Sequence, residues 1–389
     1  MDSRIVMGKK IHSMQYSATS WQKQLRFWVN RGSGHMFWYL INRVKWHWYP
    51  KARLLPSFPD HIDIETTNAC NMKCPMCYRD KIWKQRFNFK DKSMGFLDYE
   101  LYKKIIDEAA AHGVFSIRLS WRGEPLVHPR VADMVRYAKL KGIKSVSTLT
   151  NGLNLDEKLA RELIDAGIDW ISNSFDGTGK IYESIRAPAK YPEALERLRT
   201  IQRIKKEKGL KKPVLKVQTV FAAIKDNPEE FYRDLGPIVD EIAVNDTQDH
   251  SLKNKDQNPN YFCPVPWQRL VVTWSGEAVQ CINDFNERNI VGDLNTQSVA
   301  DVWNGPEMKK VRELILKKER LKMLACTECF DGDRRDIIKV KLGDHAVRGG
   351  DLGFEFKNIE KAKNEGLRLD ETMIRDREMK EENVVEILE

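Results

Sequence analysis

HIDIETTNACNMKCPMC, residues 61–77, is the stretch on which the fold turns. Its first half, 61–67, is short, apolar at alternate positions and rich in Ile and Thr, the pattern of a strand. Its second half is Cys-x3-Cys-x2-Cys, with Cys70, Cys74 and Cys77 in the loop that follows the strand. Three thiolates can hold three irons of a [4Fe–4S] cube and leave the fourth iron open. A zinc knuckle with a remote fourth ligand is the alternative. Zinc sites use paired Cys units or a nearby His, and no His lies in this loop; His61 is at the start of the strand.

Working outward from this stretch, a strand–helix rhythm repeats. Strands are predicted at 114–121, 143–150, 168–175, 214–221 and 240–245. Helices are predicted from Asp98, a plausible N-cap, to Gly113, then near 129–141, 155–166, 191–208 and 228–235. Six β/α units in order argue for an α/β fold with a parallel sheet and helices outside. Six are too few to close an eight-stranded barrel, so an open, partial (β/α)6 barrel is expected.

The rhythm stops after residue 246. A polar, aperiodic linker is followed by a β-hairpin, RLVVTW and EAVQCIN, with its turn at Ser275-Gly276. A helix is expected after Ser298, with a break at Gly305-Pro306. Four more cysteines, Cys263, Cys281, Cys326 and Cys329, fall in this region with separations of 18, 45 and 3. The expected organisation is a basic aromatic segment at 1–60, a barrel at 61–246, a small α+β cysteine module at 247–332 and a charged tail at 333–389. Some helix and considerable mobility are expected in the tail.

Composition bounds the class. The chain has 389 residues, 41% hydrophobic and 31% charged, which excludes wholesale disorder. No run of 18 apolar residues and no secretory pattern is seen, so a cytoplasmic protein is expected. Close-spaced cysteines in that compartment read as metal or cluster ligands before disulfides. The net charge is +9, but residues 1–60 contribute +8 of it, with ten Lys and Arg against Asp2 and Asp60. The remainder is nearly neutral, so nucleic acid is not an expected partner. The same segment interleaves Trp21, Trp28, Phe37, Trp38, Trp46 and Trp48 with Lys23, Arg43 and Lys45. These aromatics either cap the core of the next domain or lie at a membrane interface, which would place the protein peripherally at the inner face of the membrane.

The cysteine triplet together with its neighbours resembles the radical SAM enzymes, over about residues 60–330. Arg122-Gly123-Glu124-Pro125 is similar to the family's Gly-Gly-Glu-Pro segment, with Arg122 in place of the first Gly. Thr150-Asn151-Gly152 follows the third strand, and Ser174-Phe175-Asp176-Gly177 with Arg186 follows the fourth. The resemblance implies S-adenosyl-L-methionine (SAM) as cofactor, chelated by the open iron and cleaved to a 5′-deoxyadenosyl radical that takes a substrate hydrogen. It implies SAM contacts from Met76, Gly123, Glu124, Thr150, Asn151, Ser174, Asp176 and Arg186. A reducing partner such as flavodoxin or ferredoxin would supply the electron.

The second cysteine set resembles the SPASM module in its shortened twitch form, most closely that of the radical SAM aminocyclitol dehydrogenases. That implies one auxiliary [4Fe–4S] cluster held by all four thiolates; a structural zinc is the alternative. A closed cluster has no room for substrate, so its expected role is to take an electron during oxidation of a hydroxyl-bearing sugar, cyclitol or nucleotide derivative. A proton acceptor is then needed, with Asp284 preferred and Asp246 second; His250 is a weaker candidate. Modification of a ribosomal peptide by the same chemistry, or a non-catalytic iron–sulfur or zinc module, are the rival functions.

Overall fold

The computed structural model describes residue 32, residues 34–77, 94–245, 260–327 and 329, and the backbone of strands at 338–342, 345–349 and 368–369. Strand β1 (His61–Ile64) buries Ile62 and Ile64 completely, and it has a parallel neighbour on both sides. The five strands predicted after it are β2 (Ser116–Leu119), β3 (Ser145–Thr150), β4 (Trp170–Ser174), β5 (Val214–Val220) and β6 (Glu241–Asn245). They pair in parallel in chain order, the sheet of an open barrel.

The connecting helices are α2 (Tyr99–Ala111), α3 (Val131–Leu140), α4 (Glu157–Asp165), α5 (Gly179–Ile185), α6 (Tyr191–Glu207) and α7 (Pro228–Leu235). They are preceded by α1 (Met36–Lys51). Their starts follow local chemistry. Asp98 Oδ1 accepts from the Leu101 amide at 2.8 Å, and Asp156 Oδ1 from the Leu159 amide at 2.8 Å, each relieving a helix N–H that has no partner in its own helix. Leu101, Tyr102, Ile105 and Ile106 of α2 turn into the core, as do Leu198, Ile201 and Ile204 of α6.

The cysteine module does not start a separate sheet. Strand β7 (Arg269–Val272) pairs in parallel with β1, from His61↔Arg269 to Ile64↔Val272. Strands β8 (Glu277–Val279) and β9 (Ile290–Asp293) then continue antiparallel, giving the order β6-β5-β4-β3-β2-β1-β7-β8-β9. The hairpin turn is where the sequence put it: Gly276 has φ +91°, a conformation open to glycine and costly for a side chain. Ser298 opens α8 (Val299–Asn304) with a reciprocal capping box to Asp301, and the break at Gly305-Pro306 separates it from α9 (Pro306–Leu316). A short α10 (Leu324–Thr327) carries Cys326.

In the tail the described residues are the strands β10 (Ile338–Leu342), β11 (His345–Gly349) and β12 (Arg368–Leu369), paired antiparallel, and the helix expected there lies outside the described residues. Ile338, Val340 and Leu342 alternate with lysines, a period of two that dense charge concealed.

Candidate active site

Every motif singled out in the barrel falls at the C-terminal end of a strand, where loops are free of the ladder and can be shaped for chemistry. After β1 the chain turns through Cys70, Cys74 and Cys77, with the Cys77 amide donating to the Cys74 carbonyl at 2.9 Å. Cys74 is buried; burial pushes its thiol pKa up while the Arg186 guanidinium pulls it down, and the other two thiols are close enough to act on it. Asn151 Nδ2 lies 3.7 Å from Cys70 Sγ and Arg186 Nη1 lies 3.7 Å from Cys74 Sγ, so both sulfurs receive N–H donors.

Gly123 is required by a close approach. A Cβ there would sit 2.2 Å from the Thr67 carbonyl oxygen and 2.6 Å from that of Ala69, so any side chain would push the cysteine loop off β2. The substitution of Arg122 for glycine therefore leaves this backbone contact in place. The Glu124 amide donates to the Ala69 carbonyl at 2.8 Å, fixing the next residue on the same loop.

The Glu124 carboxylate is buried and receives three donors: the Leu126 amide at 3.0 Å, Thr150 Oγ1 at 2.5 Å and the Asn151 amide at 2.7 Å. Burial raises its pKa to about 7, against these donors and Arg186, which favour the anion. A buried carboxylate held this way is a ready partner for an ammonium group. Thr150 and Asn151 thus act on Glu124 and on Cys70, while Gly152, at φ +76°, clears the Asn173 side chain.

On the fourth strand, Asp176 is buried and engaged. Its Oδ2 accepts from Arg186 Nε at 2.7 Å and from Nη2, and its Oδ1 from the Val220 amide at 2.8 Å. Asp176 therefore aims Arg186 at Cys74 and pins β4 to β5. Ser174 ends β4 half-buried, and Met76 is half-buried against the core beside Cys77.

The second cysteine set is assembled from three segments. Burial pushes the Cys281 thiol well up, and Cys329, Cys263 and Cys326 add to the effect, which places all four thiols together. Cys326 is pushed up to about 11 by burial and by Cys329. Gln280 Nε2 lies 3.6 Å from Cys326 Sγ, and Asn283 Nδ2 lies 3.6 Å from Cys329 Sγ. Among the described residues, no three His, Cys, Asp or Glu converge tightly enough for a single ion. A cube asks for something different, one thiolate at each of several separated irons, and the polarised, crowded thiols of both loops fit that demand.

Asp246 and His250 lie outside the described residues. Asp284 is buried, its Oδ1 accepting from the Arg288 amide at 3.0 Å and its Oδ2 from the Asn289 amide at 2.9 Å. Asn289 in turn donates to Gln280 Oε1 at 2.7 Å, so Asp284 anchors the loop whose Gln280 reaches Cys326. Burial raises its pKa.

Sequence reasoning missed the residues that join the two sets. Arg122 donates through Nε and Nη2 to Glu65 at 2.8 and 2.6 Å, and Nη2 is also 2.6 Å from Glu287 Oε1. Its Nη1 reaches the Phe285 carbonyl at 3.3 Å, and the guanidinium lies 4.1 Å from the Trp121 ring centre. Trp121 donates from Nε1 to the Ile282 carbonyl at 2.8 Å and stacks on Phe285. Glu287 sits at φ +51°, an uncommon conformation for its type, where the pairing with Arg122 holds it. The one available signal was Arg122 itself, a long cation where the motif has glycine.

Taken together, the open parallel barrel, the thiol loop after its first strand and the buried carboxylate after its second define an iron–sulfur enzyme of the radical type. The chain matches the radical SAM superfamily over residues 64–234 and the SPASM iron–sulfur cluster-binding domain over residues 263–330. Its cofactors are accordingly SAM, a SAM-binding [4Fe–4S] cluster and an auxiliary cluster.

Among its relatives is the tungsten-containing aldehyde ferredoxin oxidoreductase cofactor-modifying protein of Pyrococcus furiosus, 25% identical over 72% of this chain and 89% of that protein. The S-adenosyl-L-methionine-dependent 2-deoxy-scyllo-inosamine dehydrogenase of Niallia circulans is 23% identical over 69% of this chain and 91% of that one. Native anSMEcpe with bound AdoMet shares the fold, with a TM-score of 0.51 and 14% identity over 78% of this chain and 95% of the other.

Proposed function

We propose that this enzyme oxidises a hydroxyl-bearing small molecule, a sugar, cyclitol or nucleotide derivative, by removing one hydrogen and passing the remaining electron to the auxiliary cluster. The observation that carries this reading is the Trp121–Arg122 clasp. It fastens the loop of Cys281 directly against the segment that holds Glu124, so the two thiol sets serve one site. A relative that is a dehydrogenase of an aminocyclitol supports the substrate class.

In this assignment Cys70, Cys74 and Cys77 hold the SAM-binding cluster, and Cys263, Cys281, Cys326 and Cys329 hold the auxiliary one. When bound, SAM and its cluster supply the hydrogen-abstracting radical, with the electron delivered by a flavodoxin or ferredoxin. The protein's own part is electrostatic and geometric. Glu124 would take the methionine ammonium, with Thr150 and Asn151 favouring its anion against burial; Arg186, aimed by Asp176, and Ser174 would face the carboxylate and ribose, and Met76 would offer apolar contact to the adenine. Donors from Asn151 and Arg186 on one thiol set, and from Gln280 and Asn283 on the other, stabilise the reduced, more negative states. Asp284 is the described candidate for proton acceptor, its raised pKa suiting that task while its two amide bonds suit a structural one.

The test is anaerobic reconstitution with iron and sulfide, then SAM, dithionite and a panel of aminocyclitols, sugars and nucleotides. A cyclitol or sugar that gives one ketone per 5′-deoxyadenosine is the expected result. Turnover of SAM that no hydroxyl compound in the panel stimulates, with a peptide stimulating it instead, would refute the proposal.

A further inference from the structure

Helix α1 has two apolar faces, one packed on the barrel and one exposed. Tyr39, Asn42, Trp46 and Pro50 face inward and are buried. The opposite stripe carries Phe37, Val44 and Trp48, which are 68%, 55% and 63% exposed, flanked by exposed Leu40 and Trp38. Their spacing of seven and four residues puts them in one row along the helix. A surface helix ordinarily turns polar residues outward, and an exposed row of large apolar side chains marks a contact surface. Leu54 and Leu55, just beyond the helix, are also exposed.

The charge around this row is predominantly positive, the acids near it being Asp60, which Lys45 and Arg43 act on, and Asp169. Residues 34–59 contain no Asp or Glu, while Lys45, Lys51 and Arg53 flank the row. Lys51 Nζ lies 5.6 Å from the Trp48 ring centre. At the start of the helix, His35 feels Lys144, Lys139 and Lys212 from the barrel, with Asp169 pairing the last two.

From these observations we infer that the outer row of α1 seats the protein on an anionic phospholipid membrane. Indole and phenyl rings settle at the headgroup level, and each nearby Lys or Arg adds attraction to anionic lipid. A second copy of this chain would bring the same positive charge to the contact and be repelled. The row is also convex, and a fluid interface conforms to it without a preformed pocket.

The topology then fixes which way the site looks. Helix α1 crosses the N-terminal ends of the strands: Gln268 Nε2 donates to the Trp46 carbonyl at 2.8 Å, and the Trp46 ring meets His61, the first residue of β1. Tyr39 meets Phe115, just ahead of β2. The Cys70–Cys77 loop, Glu124 and Arg186 follow the opposite ends of β1, β2 and β4, so a docked molecule presents that side of the barrel to water and takes a water-soluble substrate, not one embedded in the bilayer.

The experiment is flotation of the reconstituted full chain with two kinds of vesicle, phosphatidylcholine alone and phosphatidylcholine mixed with phosphatidylglycerol. Binding to the mixed vesicles should exceed binding to the neutral ones by about tenfold or more. The double variants Phe37→Ser/Trp48→Ser and Lys45→Glu/Lys51→Glu should each lose about that factor. Uncoupled 5′-deoxyadenosine formation should stay at the parent rate in both, since none of the four residues touches the site. Equal flotation with both vesicle types, or variants that float as well as the parent, would overturn the inference. So would a parent dimer that the Phe37→Ser/Trp48→Ser variant dissolves, because the row would then be covered by a second copy.

Discussion

The two thiol sets are built by opposite strategies. Cys70, Cys74 and Cys77 lie within eight consecutive residues, and one turn after one strand delivers all three. Cys263, Cys281, Cys326 and Cys329 span 67 residues and come from a loop before β7, a loop after β8 and the α10 region. A compact set tolerates disturbance elsewhere, since its loop-closure entropy is small. A dispersed set depends on the sheet extension β7–β9 and on the loop that Asp284 and Arg122 hold. Its geometry is a property of the assembled domain, and its failure modes should differ accordingly.

The largest effects come from breaking each set in turn. Cys74→Ala should lose the first cluster, about half the bound iron, and abolish 5′-deoxyadenosine formation. Cys281→Ala should lose a similar share of iron yet keep uncoupled 5′-deoxyadenosine formation while substrate oxidation disappears. Iron analysis with product chromatography reads both, and loss of SAM cleavage in Cys281→Ala at full first-cluster iron would erase the distinction.

Next in size is the clasp between them. Arg122→Leu leaves Glu65 and Glu287 buried without their cation, which should cost about 3–5 kcal/mol of stability in denaturant unfolding. Surviving protein should make less oxidised product per 5′-deoxyadenosine. A variant with unchanged stability and unchanged coupling would show that the clasp does not join the two sets.

The pH dependence singles out the first site. Below its raised pKa of about 7, Glu124 is protonated and cannot pair with an ammonium; above it, the anion is available. SAM affinity should therefore rise about tenfold from pH 6 to pH 8 and then level off. Glu124→Gln should bind weakly at every pH. Titration calorimetry tests the pair, and a flat profile for the parent would remove Glu124 from this role.

The smallest effect separates two readings of Asp284. As an anchor for its loop, Asp284→Asn should cost about 1–2 kcal/mol and release auxiliary iron, with the pH profile of oxidation in place. As proton acceptor it should keep its iron and lose the alkaline rise of the rate.

Much of the barrel was legible because its signals are local. An apolar run followed by an N-cap and a helical face specifies each β/α unit, and the four motifs recur at the same place in successive units. The expected strand at 61–67 ends at Ile64 because Thr66 and Thr67 leave the parallel ladder to pair with the segment ahead of α2, the Leu97 amide donating to the Thr66 carbonyl at 2.8 Å and Thr67 Oγ1 to the Gly95 carbonyl at 2.6 Å. Strand β9 and the tail strands escaped because short strands among charged residues carry little pattern. Arg122 looked like a blemish in a motif, since its partners Glu65 and Glu287 are 57 and 165 residues away along the chain.

By itself the sequence determined the order of the β/α units, the first thiol loop and the turn that carries Glu124, all set by neighbours within a few residues. Only the tertiary structure decided that β7 would run beside β1, that four scattered thiols would meet, and that a lone arginine would bind the two centres together. Those outcomes depend on long-range burial and charge pairing, for which the linear chain carries no period to read.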